Sequence, residues 1–252
     1  MKIAVISDIH GNMQAFEAVL EDIKKINADK IFCLGDLAMA GPEPTEAIDK
    51  VIELEKSGLL TVIQGNTDLF LAQNSQEVCD NIKKVSEPMG YACESDIKLL
   101  QPEHFEYLKN LAPQKELIID GVKILLVHGS PRANNENIYP EMSLSQIEEM
   151  VKDTDADIIF CGHTHQPCGY QTDSEKTVVN VGSVGRPLSE VPKACYAVIE
   201  INPDTEEEKL AIYHRLVDYD KEKTAELLRC RNYVGADKIA QMLICASERY
   251  PN

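Results

Sequence analysis

Lys2-Ile3-Ala4-Val5-Ile6-Ser7-Asp8-Ile9-His10-Gly11-Asn12 joins an unbroken apolar run to a carboxylate, one spacer and an imidazole. In an extended chain residues i and i+2 point to the same side, so Asp8 and His10 can reach one metal ion together. Gly11 allows a sharp turn, and Phe16, Val19, Leu20 and Ile23 then recur at helical spacing. One Asp-x-His pair is weak evidence. Four later apolar runs end in similar residues, at Gly35-Asp36, Gly65-Asn66, His128-Gly129 and Gly162-His163-Thr164-His165.

Outward from this stretch the pattern is strand, helix, strand, helix, strand. Asp29 to Leu34 and Leu60 to Gln64 read as short buried strands. Between them Gly41-Pro42-Glu43-Pro44 breaks the helical pattern, Thr45 caps a helix, and Ile48, Val51 and Ile52 form its apolar face. Short spacing of this kind predicts parallel strands joined by right-handed crossovers, an α/β fold with ligands at the carboxyl ends of the strands.

From about Leu69 to Pro113 polar helical segments replace the alternation, which predicts an inserted helical cap. His104 within it has no partner at ligand spacing and reads as a solvated helix residue. Asp120-Gly121 marks a hairpin, and Ser143 with Gln146 forms a capping box. Ile158 to Cys161 is a further buried strand. Thr177 to Val181, Ala194 to Ile201 and Lys209 to Leu216 read as strands, the last half exposed with His214 on the surface. The acidic run Asp204 to Glu208 reads as a solvated turn. Two helices finish the chain, and Ile239, Met242, Leu243 and Ala246 make a stripe expected on the domain's own core, with a homodimer contact as the alternative. The expected organisation is one domain over residues 1–217 with its cap at about 69–113, and a helical tail over 218–252.

The chain has 252 residues and a formal charge of −17, from 25 Lys and Arg against 42 Asp and Glu. That field repels duplex nucleic acid and anionic membranes, so an anionic substrate must be drawn in by a local positive charge such as bound metal. No run is long enough to span a bilayer and the N-terminus lacks a signal-peptide pattern, which predicts a cytoplasmic protein. The eight Cys show no Cys-x-x-Cys spacing, and Cys33 and Cys161 lie inside apolar runs. Reduced, structural thiols are expected rather than a zinc–cysteine site.

Seven residues collect at the strand ends: Asp8, His10, Asp36, Asn66, His128, His163 and His165. Nitrogen and oxygen donors without sulfur suit Mn, Fe or Zn. Seven donors exceed the needs of one catalytic ion and suit two ions roughly 3.5–4 Å apart. One carboxylate must then bridge, and Asp36, alone after its strand, is the natural choice.

With these motifs the chain resembles the calcineurin-like metallophosphoesterase superfamily, from Lys2 to about Leu216. Asp8-Ile9-His10-Gly11-Asn12, Gly35-Asp36-Leu37, Gly65-Asn66, Val127-His128-Gly129-Ser130-Pro131 and Gly162-His163-Thr164-His165 carry the resemblance. Gly41-Pro42-Glu43-Pro44 and Gly182-Ser183-Val184-Gly185 resemble a bacterial subgroup. The resemblance implies a four-layer α/β/β/α sandwich. It places Asp8, His10 and His165 on one metal and Asn66, His128 and His163 on the other, with Asp36 bridging. Three departures stand out. Thr67 replaces a frequent His, Met39-Ala40 precedes Gly41-Pro42 where the subgroup often has Gly-Tyr, and Val181 and Arg186 stand where it often has Pro and Gln.

The function this implies is hydrolysis of small phosphate esters by a metal-activated hydroxide: phosphodiesters, nucleotides or dinucleoside polyphosphates. Manganese is the expected metal, with iron or zinc as alternatives. A phosphoprotein phosphatase and a non-catalytic interaction module on the same fold are the alternative readings. Asn66, Thr67 and His128 are the catalytic candidates, and Arg186 and Arg132 the candidates for gripping phosphate. Thr67 is too weak an acid to protonate a leaving group, so rates should fall steeply as leaving-group pKa rises.

Overall fold

The computed structural model describes residues 1–189, 191–202 and 210–246. The acidic run at 204–208 lies outside them. The chain opens with β1 (Lys2–Ile6), α1 (Met13–Lys25), β2 (Lys30–Cys33), α2 (Pro44–Lys56) and β3 (Leu60–Val62). Four helices follow: α3 (Asn66–Ala72), α4 (Gln76–Val85), α5 (Glu87–Ile97) and α6 (Pro102–Asn110). The second half runs β4 (Gln114–Ile119), β5 (Val122–Val127), α7 (Leu144–Val151), β6 (Ile158–Cys161), β7 (Cys168–Gln171), β8 (Thr177–Asn180), β9 (Ala194–Ile201) and β10 (Leu210–Val217). It ends with α8 (Lys221–Cys230) and α9 (Ala236–Cys245).

Two five-stranded sheets form, in the orders β10-β9-β1-β2-β3 and β4-β5-β6-β8-β7. β1, β2 and β3 are parallel, as are β5, β6 and β8. The alternation of side chains divides each inner strand between two cores. Ile3 and Val5 meet Ile124, Leu126 and Phe160 of the opposite sheet, while Ala4 and Ile6 face the helices with Phe16 and Val19. Leu125 and Ile159 point outward onto Ile147 and Val151 of α7. Burial on both faces is why β1 reads as a continuous apolar run. The result is the α/β/β/α sandwich expected.

Several local expectations change. β7 was not expected; it pairs antiparallel with β8 and widens the second sheet. His104 is buried rather than solvated: its Nδ1 accepts the Gln101 amide at 3.0 Å, capping α6, and its Nε2 meets Asp49 at 3.1 Å. His214 is half-buried rather than a surface residue, with Nε2 donating to the Asn180 carbonyl at 2.7 Å. Sequence spacing cannot reveal these partners, which lie 55 and 34 residues away. The stripe on α9 packs on the chain's own core through Ile239 and Leu243. No described helix is long and apolar enough to cross a membrane.

Candidate metal centre

Three backbone bonds zip the loops after β1 and β2 together: Asp8 N to Gly35 O at 3.0 Å, His10 N to Asp36 O at 2.9 Å and Gly11 N to Leu37 O at 2.9 Å. The β2 and β3 loops touch even more closely. A Cβ on Gly35 would lie 2.1 Å from the Gly65 nitrogen, and one on Gly65 would lie 2.1 Å from Asp36 Oδ1. Only a pair of glycines lets Asp36 and Asn66 come this near.

Asp8, His10, Asp36, His163 and His165 all have φ between 50° and 66°, the left-handed region that costs a non-glycine residue on the order of 1 kcal/mol. A buried carboxylate holds the turn at Asp36. Asp68, at the third position of α3, accepts the amides of Asp36 at 2.8 Å, Leu37 at 2.9 Å and Gly65 at 2.9 Å. Burial and the neighbouring Asp36 push its pKa up to about 7, while those amides pull the other way.

Three imidazoles are oriented from behind by backbone carbonyls. Nδ1 of His10 donates to Met39 O at 2.9 Å, that of His128 to Leu34 O at 2.8 Å, and that of His165 to Arg186 O at 2.7 Å. A carbonyl only accepts, so each Nδ1 carries a proton and Nε2 faces the site. The Nε2 atoms of His10 and His165 then lie 3.1 Å apart. His128 Nε2 lies 3.0 Å from Asn66 Oδ1 and 3.4 Å from Asp36 Oδ1. Asp8 Oδ1 is wholly buried and accepts no hydrogen bond, although His165 Nε2 is 3.1 Å away. Imidazole nitrogens and carboxylate oxygens packed this closely could hold a cation between them.

The donor atoms of Asp8, His10 and His165 lie within 4.8 Å of one another, as do those of Asp8, Asp36 and His128. Asp36 stands between the groups, with Oδ2 3.7 Å from His10 Nε2 and Oδ1 3.4 Å from His128 Nε2. The residues present therefore fit divalent metal in number, chemistry and orientation. His163 sits at the edge, its ring 5.2 Å from that of His128 and its amide donating to Asp8 Oδ2 at 3.0 Å. Burial lowers the pKa of His10 to about 3 and that of His163 to about 4, keeping both neutral. Burial also disfavours charge on His128, but the adjacent Asp36 outweighs it and holds its pKa at about 10.

His10, Asp36, Asn66, His163 and His165 form one wall of a cavity of about 700 Å³, with Asp8 and His128 buried behind them. His10, Asp36, Asn66, Thr67, His163, His165 and Arg186 line it. Arg132 does not; it pairs with Glu136, Nε to Oε2 at 3.0 Å, on the outer surface. The Thr67 hydroxyl donates to Ala38 O at 3.1 Å and its amide to Asp36 Oδ1 at 2.8 Å, so Thr67 braces the Asp36 carboxylate. Asp68 is enclosed behind the wall.

The sequence reading missed the support behind His10. Met39, whose carbonyl orients that ring, has φ 79° and is followed by Ala40 at φ 71°. Buried Asp96 of α5 accepts the Met39 amide at 2.8 Å and takes Arg231 on its other oxygen at 2.8 Å. Met39-Ala40, where the subgroup often carries Gly-Tyr, was the available signal. The opposite wall of the cavity, from α4, α5 and α9, had no signal beyond helical apolar spacing.

The sequence profile of the calcineurin-like phosphoesterase superfamily domain matches residues 1–204. An uncharacterised protein of Methanocaldococcus jannaschii is 32% identical over 240 residues, covering 89% of this chain and 90% of that one. Phosphodiesterase YfcE of Escherichia coli is 24% identical over 200 residues, covering 79% and 88%. The crystal structure of a metallophosphoesterase from Sphaerobacter thermophilus superposes with a TM-score of 0.76 and 26% identity over 98% of this chain and all of that one, 100%.

Proposed function

The chain belongs to the calcineurin-like phosphoesterase superfamily, and we propose that it is a two-metal hydrolase of small phosphate esters. Asp8, His10 and His165 would hold one ion and Asn66, His128 and His163 the other, with Asp36 shared between them, and manganese would suit this donor set best. When bound, the ions supply nucleophilic water at neutral pH and neutralise charge on the phosphoryl oxygens. The protein's part is placement. Carbonyls behind His10, His128 and His165 fix each ring's tautomer, so no reorganisation accompanies the reaction. Arg186, on the cavity wall, orients a phosphoryl oxygen. Thr67 holds Asp36 and transfers no proton, so the best substrates have leaving groups stable as anions. In this reading residues 1–217 are one catalytic domain with its cap at about 69–113, and 218–252 are a helical tail whose α9 lines the cavity through Lys238, Ile239 and Met242, in a cytoplasmic protein.

The observation that carries this reading is the convergence of unpartnered donors, above all Asp8 Oδ1 against two facing imidazole nitrogens. The test is hydrolysis of bis(4-nitrophenyl) phosphate by metal-stripped protein before and after manganese is returned. Activity is expected only with metal, saturating near two ions per chain, and equal rates in both states would overturn the proposal.

A further inference from the structure

The cavity has two unlike sides. Its floor is the cluster of metal-type donors. Its roof is mostly apolar, built from Phe70 of α3, Ile82 of α4, Met89 of α5, Leu188, and Ile239 and Met242 of α9, with the polar Gln73, Asn81, Ser86 and Lys238 among them. Most of the apolar side chains are half-buried by the fold, and what remains exposed faces the space above the donors. The charge balance there also departs from that of the whole chain. Among the described residues Asp36, on the floor, is the one acidic side chain that lines the cavity, against Arg186 and Lys238. The chamber therefore carries more basic than acidic side chains and is mostly apolar away from the donors.

Phosphate fills only a small part of about 700 Å³. A nucleoside in the remainder would set ribose hydroxyls and base edges against a mostly apolar lining, where Gln73, Asn81, Ser86 and Asn135 are the few uncharged polar partners beyond the donors and Thr67, and Phe70, among the described residues, is the one phenyl ring. Burying those polar groups without partners is costly. An apolar chain or ring gains from the same surface.

Resting on the two-metal reading above, we infer that this site takes phosphodiesters of apolar alcohols, with the alkyl or aryl group seated under α4, α5 and α9. Hydrolysis forms a P–O bond to the water oxygen and breaks the P–O bond to the leaving alcohol, which takes up one proton in solution. The products are a phosphate monoester and an alcohol.

The test is a series of alkyl 4-nitrophenyl phosphates, methyl, butyl and octyl, with manganese-loaded full-length protein. The leaving group is constant, so only the seated chain changes. kcat/KM should rise about fourfold for each methylene that is seated, and by more than about a hundredfold from methyl to octyl. Thymidine 5′-(4-nitrophenyl) phosphate should fall below the butyl ester. Ile82→Asn and Met242→Asn, checked for unchanged circular dichroism, should each cut the octyl-to-methyl ratio by about tenfold or more. A flat series, preference for the thymidine ester, or an unchanged ratio in both variants would overturn the inference. If no ester is hydrolysed, the two-metal reading fails by itself. Calorimetry with octylphosphonate against methylphosphonate then still decides this one, tighter octyl binding supporting it and equal binding overturning it.

Discussion

The two sides of the cavity are built by opposite means. The floor is set by backbone: short turns in the left-handed region, glycines in mutual contact, and amides tied to Asp68 and Asp96. The roof is set by side-chain packing of helices, with Met242 and Ile239 serving both the core and the cavity. A floor of this kind keeps reacting groups still. An apolar roof grips by area, without directional bonds, and tolerates volume-conserving change. Substitutions on the floor should therefore act on chemistry and metal, and those on the roof on substrate range.

The sharpest contrast is Asp36→Ala. Loss of the carboxylate between both donor groups should reduce turnover by about a thousandfold or more, beyond the 10–100-fold that outer partners of metal ligands cost. Metal content by elemental analysis should fall with it, while circular dichroism stays near the parent's. Full activity with full metal content would place the chemistry elsewhere. Next is Thr67→His. An imidazole at this cavity-lining position can protonate a leaving alkoxide, so turnover of dialkyl phosphates should rise by up to about a hundredfold, and that of aryl esters little. Equal gains on both would show that proton supply does not limit the parent.

Support of the floor from behind can be broken selectively. Asp96→Ala frees the Met39 amide and should weaken manganese binding by about 10–100-fold. Met39→Gly makes the φ of 79° unstrained and should recover much of that loss in the double variant. A purely structural role for Asp96 would give no such recovery. Metal removal tests the electrostatics of the same floor. In metal-free protein His128 has its pKa raised to about 10 by Asp36 against the effect of burial, so it is protonated at pH 8. Manganese uptake at pH 8 should then release about one proton, read with an indicator dye, because His10 and His163 are already neutral. A raised folded-state pKa stabilises below the unfolded value of 6.5 and is lost as pH rises through 10, so metal-free protein should melt progressively lower over that window. No proton release, or a flat melting profile, would contradict the assignment. On the roof, Val85→Ser should change stability by less than about 0.5 kcal/mol by chemical denaturation, since Val85 is 91% exposed at the cavity mouth.

The sequence alone determined the floor. Asp8, His10, Asp36, Asn66, His128, His163 and His165 were legible because each follows a buried strand, and strand ends of parallel sheets converge whatever the loops do. Unbroken apolar runs bounded by turn residues located those strands, so the α/β order was legible too. Tertiary structure alone decided which groups stand behind the ligands and what faces them. Asp96 lies 57 residues from Met39, and Arg231 lies 135 from Asp96, and their pairing depends on how α5 and α8 dock. Arg132 and Arg186 follow similar motifs, yet one pairs with Glu136 outside and the other reaches the cavity. For the roof, the apolar positions of α4, α5 and α9 carry the same pattern whether they meet a core, a partner or a substrate. Helical periodicity fixes which face is apolar and leaves open what covers it, because the hydrophobic effect rewards area removed from water without specifying the partner.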